Sequence, residues 1–337
     1  MEYLYEYLVF LAKAATILVV VFFVVSLVAS LSMRRQHAPR GHLQVRKLND
    51  SFKDMKQAVQ QMLLSDPELK KQHKQEVKQE KARRKGKIVD EEPRRRIFVL
   101  NFDGDISASE AEHLRHEVSA IVSAAGENDE VLVKVESLGG MVHTYGFAAS
   151  QLARIRAKGI PLTTAIDKVA ASGGYMMAVV ADRILAAPFA LVGSIGVVAQ
   201  IPNVHRLLKK HDVDVEVLTA GQYKRTLTIF GENTDEGRRK FIEELEDVHA
   251  LFQEFIRDNR PNLDVERVAT GEAWYGRRAV DLGLVDELMT SDEYLLQSAD
   301  QADLLEVKWV EHKRPIERMM AQATAGLSRM RRVLFGQ

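Results

Sequence analysis

The chain has 337 residues, 46% hydrophobic and 28% charged, enough to bury a core in one large or two small domains with appendages. It contains no cysteine, which excludes disulfides and thiolate–metal sites and leaves redox compartment unread. The formal net charge of zero divides unevenly: residues 34–96 carry 19 Lys and Arg against 9 Asp and Glu, whereas 97–337 carry 27 against 36.

Residues 14–33 hold no charge and are rich in Val, Leu and Phe. That length matches the roughly 20 residues needed to span a bilayer core. Tyr3, Tyr5 and Tyr7 stand where interfacial aromatics belong, and Lys13 can snorkel from the end. A cleaved signal peptide would want a basic start and a shorter apolar core, but Glu2 and Glu6 stand here. Residues 1–33 therefore read as an uncleaved, single-pass anchor in a lipid bilayer. Arg34, Arg35, Arg40, Arg46 and Lys47 follow it closely, and only Lys13 and the amino terminus precede it. The positive-inside rule then puts the rest of the chain in the cytoplasm.

Residues 34–96 read as a basic, partly helical linker, broken at Ser65-Asp66-Pro67. The pattern over 51–64 suggests a short amphipathic helix, and 68–87 a solvated rod. The basic charge suits either anionic headgroups beside the anchor or a flexible spacer. It lacks interleaved aromatics or a recognised module, which argues against nucleic acid.

A compact domain is expected over 97–290. Residues 97–102 read as a buried strand, and Ser107 with Glu110 as a capping box for a helix to about 124. A strand over 130–136, a helix over 142–157 and a strand over 160–166 follow. This alternation predicts an α/β domain with a largely parallel sheet. The uncharged stretch 184–201 contains Pro188, Gly193 and Gly196, so it reads as consecutive core strands rather than a second span. Residues 213–218 look strand-like. The segment 234–259 reads as a long amphipathic helix with Phe241, Leu245, Val248, Leu251, Phe252 and Phe255 on one face. Residues 279–288 look like a closing helix-turn. The extension 291–337 ends in a basic tail that receives no role.

The stretch Val169-Ala170-Ala171-Ser172-Gly173-Gly174-Tyr175 closes an apolar strand and opens a helix. Ser172 there suits a plain N-cap in a tight turn, or a nucleophile whose attack generates an oxyanion. A second stretch, Leu218-Thr219-Ala220-Gly221-Gln222-Tyr223-Lys224-Arg225, lies downstream. Together with Ser137-Leu138-Gly139-Gly140, Gly193-Ser194-Ile195-Gly196-Val197 and Ala279-Val280-Asp281-Leu282-Gly283-Leu284-Val285-Asp286, these motifs resemble the signal peptide peptidase SppA family of serine proteases. They recur in family order over about two-thirds of the chain. One departure is Leu138, where the family usually has proline; both glycines of that turn remain.

The resemblance implies a ClpP/crotonase-like α/β fold and peptide hydrolysis through an acyl-enzyme on Ser172. A serine needs a base within hydrogen-bond reach. His143, His205 and His211 stand in no motif tied to Ser172, which leaves Lys224 as the candidate. A lysine serves as a base only where burial lowers its pKa well below the ordinary value of about 10.4; otherwise Lys224 is a surface residue. Ser194 would orient the amine, or be a turn serine. Backbone N–H groups of Gly139 or Gly140, with Gly173, would form the oxyanion hole. No metal, nucleotide or organic cofactor is implied. Signal peptides or other membrane-proximal peptides are the implied substrates, at a bacterial inner membrane. A homo-oligomeric ring in which neighbouring protomers share a site is also implied. The SppA relatives carry their catalytic domains on the periplasmic side, against the charge rule. Two other readings fit the fold: a crotonase-type acyl-CoA enzyme, which needs neither Ser172 nor Lys224, and a catalytically inert membrane scaffold.

Overall fold

A computed structural model describes residues 41–63 and 94–311, together with isolated helical positions at Lys13, Ala15, Thr16 and Val19. The chain divides into a unit Leu43–Trp309 and a second unit of Met1–His42 with Val310–Gln337. Apart from those positions, the expected anchor lies outside the described residues, as do the rod at 68–87 and the basic tail. Among the described residues no helix is long and apolar enough to cross a membrane.

The unit Leu43–Trp309 grows around β2 (Arg95–Gly104). Successive side chains of a strand point to opposite faces. Ile97 and Val99 enter one core with Leu132, Ala165, Leu185 and Leu304. Phe98, Leu100 and Phe102 enter another with Val131, Val133 and Val135. Burial on both faces is why 97–100 is an unbroken apolar run. The parallel partners are β3 (Glu130–Ser137), then β4 (Leu162–Ile166), β6 (Arg183–Ala186) and β9 (Glu287–Leu288). On the other side β10 (Ala302–Glu311) pairs β2 in parallel, with β1 (Gly41–Lys47) outermost. A branch leaves this path. β5 (Val169–Ala171) meets β3 at Ser137, β7 (Leu191–Gly193) runs parallel to β5, and β8 (Ala273–Tyr275) closes antiparallel on β7.

The larger core takes α2 (Ala111–Ala124), α3 (Val142–Ala157) and α4 (Gly173–Ala178). The smaller one receives Leu48 and Phe52 of α1 (Leu48–Leu63) and Tyr294 and Leu295. After β7 the chain runs through α5 (His205–Lys210) to α6 (Asp235–Asn259). Thr234 caps α6 by accepting from the Gly237 N–H. Of the expected apolar face of α6, Phe252 is buried, with Ile256 beside it, and Leu251 is exposed. Short helices α7 (Val265–Val268) and α8 (Gly276–Asp281) lead to β9, and α9 (Ser291–Ser298) leads to β10. The Asp286 carboxylate accepts both Arg260 Nη groups, at 2.8 and 2.6 Å, and the Ile184 N–H at 2.7 Å. That clamp ties the end of α6 to the edge of the sheet.

Several expectations are corrected. The structured unit extends past 97–290 on both sides, since β1 and α1 come from the expected linker and α9 and β10 from the expected extension. The side-chain amide of Asn49 holds them together, donating to Ala299 O and Ala302 O and accepting from the Leu304 N–H. β10 is interrupted by Asp303, Glu306 and Lys308, so its alternation is weak in sequence. The capping box at Ser107 does not form. Glu110 is the N-cap of α2 and makes no capping bond, its carboxylate instead accepting the Asp103 N–H at 3.3 Å, while the Asp105 carboxylate takes the Ser109 N–H and hydroxyl. Residues 184–201 form β6, a turn, β7 and an irregular stretch. Residues 213–218 form no strand: no described strand pairs with them, and Leu218 is 89% exposed.

Candidate active site

Ser172 stands between β5 and α4 with φ 51° and ψ −117°. A non-glycine residue at positive φ stores roughly 1–3 kcal/mol of strain and persists only where its surroundings over-determine it. Here the Ser172 N–H donates to Gly193 O at 2.7 Å and its carbonyl accepts from the Met176 N–H at 2.9 Å. Its side chain makes no capping bond, so the hydroxyl is not consumed as an N-cap.

The turn after β3 presses against this residue. Gly139 has φ 88°, and a Cβ there would lie 2.7 Å from Ala171 O, Gly173 N and Ser172 Cβ. Gly140 is equally hemmed in, since its Cβ would approach Ile106 O to 2.1 Å. The Gly139 N–H donates to Ser137 Oγ at 3.0 Å and is therefore occupied. Among the described residues the N–H groups of Gly140 and Gly173 have no acceptor. A Cβ on Gly173 would meet the Tyr145 ring at 2.4 Å, so that glycine is required by packing.

Two residues to which the sequence analysis assigned no role, Ser137 and Tyr145, support this turn. Tyr145, fully buried, donates its hydroxyl to Asp105 O at 2.7 Å and lies within hydrogen-bond distance of Ser137 Oγ. Ser137 Oγ also donates to Gly104 O at 3.1 Å. Burial pushes the Tyr145 hydroxyl pKa above its ordinary value, so it stays a neutral donor. Ser137 was visible as the first residue of the Ser-Leu-Gly-Gly motif. Tyr145 carried no signal beyond its place in α3.

Ser194 is brought beside Ser172. β5 and β7 pair Ala171 with Gly193, so one step further the register sets Ser172 opposite Ser194. Ser194 has the same φ of 51°, and its N–H donates to Glu272 O at 2.7 Å. Both serines are half-buried.

Lys224 makes no hydrogen bond with either of them. It lies in an exposed bend, its N–H bonded to Gly221 O at 3.2 Å. The expectation of a buried lysine therefore fails for the single chain. The physical reason is the stretch from Val198 to Phe230, whose apolar side chains have little to pack on: Val198 is 91% exposed and Phe230 52%. The histidines offer no substitute, since His143 is exposed and His205 Nδ1 lies 3.2 Å from Phe230 O.

Residues 2–152 match the sequence family described as peptidase family S49 N-terminal, and 154–305 match peptidase family S49. The chain belongs to peptidase family S49. Its S49 relatives include a probable protease SohB of Haemophilus influenzae, 50% identical over 328 residues that cover 94% of this chain and 92% of that one. A probable protease SohB of Buchnera aphidicola is 52% identical over 235 residues, 70% of each chain. The chain is accordingly a protease of this family, most like SohB. Among solved structures, a mutant of the 1510-N membrane-bound stomatin-specific protease with a substrate peptide aligns over 69% of this chain and 100% of that one. Its TM-score is 0.43 and its identity 11%.

Proposed function

We propose that this S49 protease is a membrane-anchored serine endopeptidase of ClpP/crotonase-like fold. Ser172 Oγ attacks the scissile carbonyl and forms an acyl-enzyme that water then hydrolyses. The observation that carries this reading is the strained Ser172, held by Gly139 and Gly173 with its hydroxyl spent on no cap. The N–H groups of Gly140 and Gly173 receive the oxyanion. Gly139 is left out of that role because its N–H is bonded to Ser137. Removing one such donor typically costs about 10²–10³ in kcat.

Lys224 takes the proton from Ser172, oriented by Ser194. In the lone chain Lys224 is exposed without a hydrogen bond to either serine, and its stretch exposes apolar side chains, which supports a homo-oligomer in which one protomer's Lys224 completes a neighbour's site. No metal or organic cofactor enters this chemistry. The anchor brings signal peptides or other membrane-proximal peptides to the site, at the bacterial inner membrane. The charge around the anchor places the body in the cytoplasm, and alkaline phosphatase activity from a fusion after Gln337 would overturn that side.

Treatment with a serine-directed phosphonate followed by mass spectrometry should find the adduct on Ser172, and Ser172→Ala should abolish it together with peptide hydrolysis. Lys224→Ala and Lys224→Arg should be equally inactive, because arginine stays protonated at any workable pH. The double change Ser172→Ala with Lys224→Ala should be no worse than either single one, since residues acting as a unit are non-additive. Near-normal turnover in Lys224→Arg would remove the lysine base.

A further inference from the structure

We infer that Tyr145 is the positioning residue that sets the separation of the two oxyanion donors, its hydroxyl holding the turn that carries the Gly140 N–H and its ring bracing Gly173. The inference rests on the serine mechanism proposed above and gives a role in it to a residue outside every motif stretch. Tyr145 lies in the first turn of α3, which opens just after Ser137-Leu138-Gly139-Gly140. Helical side chains lean towards the N-terminus of their helix. The Tyr145 hydroxyl therefore returns to the turn from which the helix starts. There, three successive carbonyls at the end of β2 and just beyond it accept bonds from this region. Gly104 O takes the Ser137 hydroxyl at 3.1 Å, Asp105 O the Tyr145 hydroxyl at 2.7 Å, and Ile106 O the Met141 N–H at 2.9 Å.

The Tyr145 and Ser137 oxygens lie 2.5 Å apart, and Ser137 Oγ also accepts the Gly139 N–H at 3.0 Å. The two hydroxyls are thus the centre of a clamp that grips the turn on both sides of Gly140. Glycines at 139 and 140 give that turn room but no rigidity of their own, so the clamp must supply it. The ring of the same side chain reaches the other donor. A Cβ on Gly173 would lie 2.4 Å from Tyr145 Cγ and 2.7 Å from Cδ2. From the β2 side the Phe102 ring meets Tyr145 edge-on, with centroids 6.2 Å apart and planes at 72°. With no exposed surface, Tyr145 has nowhere to shift. One side chain therefore touches both donor segments, which are distant along the chain.

Oxyanion donors act by standing ready at the place where charge develops. A misplacement of about 1 Å costs on the order of 10²-fold in rate. A hydroxyl that only stabilised the core would have no such effect. Tyr175 supplies the comparison: it is fully buried too, and its hydroxyl donates to Leu284 O at 3.0 Å, away from the turn after β3.

Tyr145→Phe keeps the ring against Gly173 and deletes the hydroxyl. In the full-length protein it should lower kcat about 10–100-fold and leave KM within about twofold. Ser137→Ala should do the same, and the double variant should be no worse than the poorer single one, because the two hydroxyls act as one unit. Tyr175→Phe should lower Tm by a similar amount, having lost a buried bond of the same kind, yet keep kcat within about threefold. The peptide aldehyde acetyl-Leu-Leu-leucinal reads the donors directly. Ser172 Oγ adds to its carbonyl carbon, the serine proton passes to the base, and the former carbonyl oxygen takes the oxyanion position. Its affinity should weaken in Tyr145→Phe by the same factor as kcat/KM, whereas the matching alcohol, which forms no adduct, should bind both proteins equally. Equal aldehyde affinity in parent and Tyr145→Phe, or an equal kcat loss in Tyr175→Phe, would overturn the inference and leave Ser172 as the nucleophile. Failure of the serine-directed phosphonate to label Ser172 in the parent would overturn the serine mechanism itself, and this assignment with it.

Discussion

At the scale of single residues, the site is a contest between backbone comfort and chemistry at Ser172. A φ of 51° with ψ of −117° suits glycine and strains serine. Ser172→Gly should therefore lose all peptide hydrolysis while raising stability by up to about 1 kcal/mol, read as a shift in denaturant midpoint at constant m-value. Stability equal to or below that of Ser172→Ala would mean that the surroundings, and not the side chain, set this backbone. Gly139 is the converse case. Its φ of 88° and the three atoms 2.7 Å from a would-be Cβ leave no room for alanine. Gly139→Ala should cost at least about 2 kcal/mol of stability. By displacing the Gly140 N–H it should also lower kcat about 10²–10³-fold, the usual loss of one oxyanion donor. Retention of kcat in folded protein would detach this turn from catalysis.

At the scale of elements, the join between α2 and β10 carries a pH dependence. Glu117 of α2 is buried and accepts the Trp309 N–H at 2.7 Å. Burial pushes its carboxyl up to about 7, with Glu110 adding to the rise and His113 and Lys308 opposing it. A carboxyl raised on folding favours the folded state fully below its unfolded value near 4.3, and that contribution is lost as pH rises towards about 7. Glu117→Gln keeps an acceptor for Trp309 without the charge. The variant should match the parent at pH 4 and exceed its stability at pH 8 by up to roughly 3 kcal/mol. Parallel Tm-against-pH curves for the two proteins would refute this. The Arg260–Asp286 clamp has the opposite sign. Burial alone would raise the Asp286 carboxyl, but the bonds from Arg260 and the Ile184 N–H outweigh it and hold it below the ordinary carboxylate range. Its stabilisation is present at neutral pH and is lost only as pH falls below the usual carboxylate value of about 4.

At the scale of the whole molecule, the exposed stretch between Val198 and Phe230 is the feature the lone chain leaves unresolved chemically. Val198, Leu218 and Phe230 face water in one protomer, and Lys224 stands among them. If neighbouring protomers share a site, Ser172→Ala supplies a good lysine and Lys224→Ala a good serine. Two inactive proteins, unfolded and refolded together at equal amounts, should then recover roughly a quarter of normal activity, the chance of a productive neighbour pair in a cyclic assembly. No recovery from a demonstrably mixed oligomer would place both groups in one chain.

What the residues alone determined is local in its physics. The span of α3 was legible to the residue, because helical period and the flanking turns are short-range signals. The strand–turn–helix around Ser172 was legible too, since glycines at a strand end announce a backbone that other residues avoid. The tertiary structure decided what depends on pairing between distant segments. Ser194 reached Ser172 only through the register of β5 on β7. Gly140 was separated from Gly139 only when Ser137 Oγ claimed one of the two N–H groups. β1 and β10 joined the sheet although charged residues blur their alternation, because Asn49 and the ion pairs to Asp303 and Glu306 hold them at the edge. Hydrogen-bond satisfaction and strand pairing are properties of atoms brought together by the fold, and no window along the chain contains both partners.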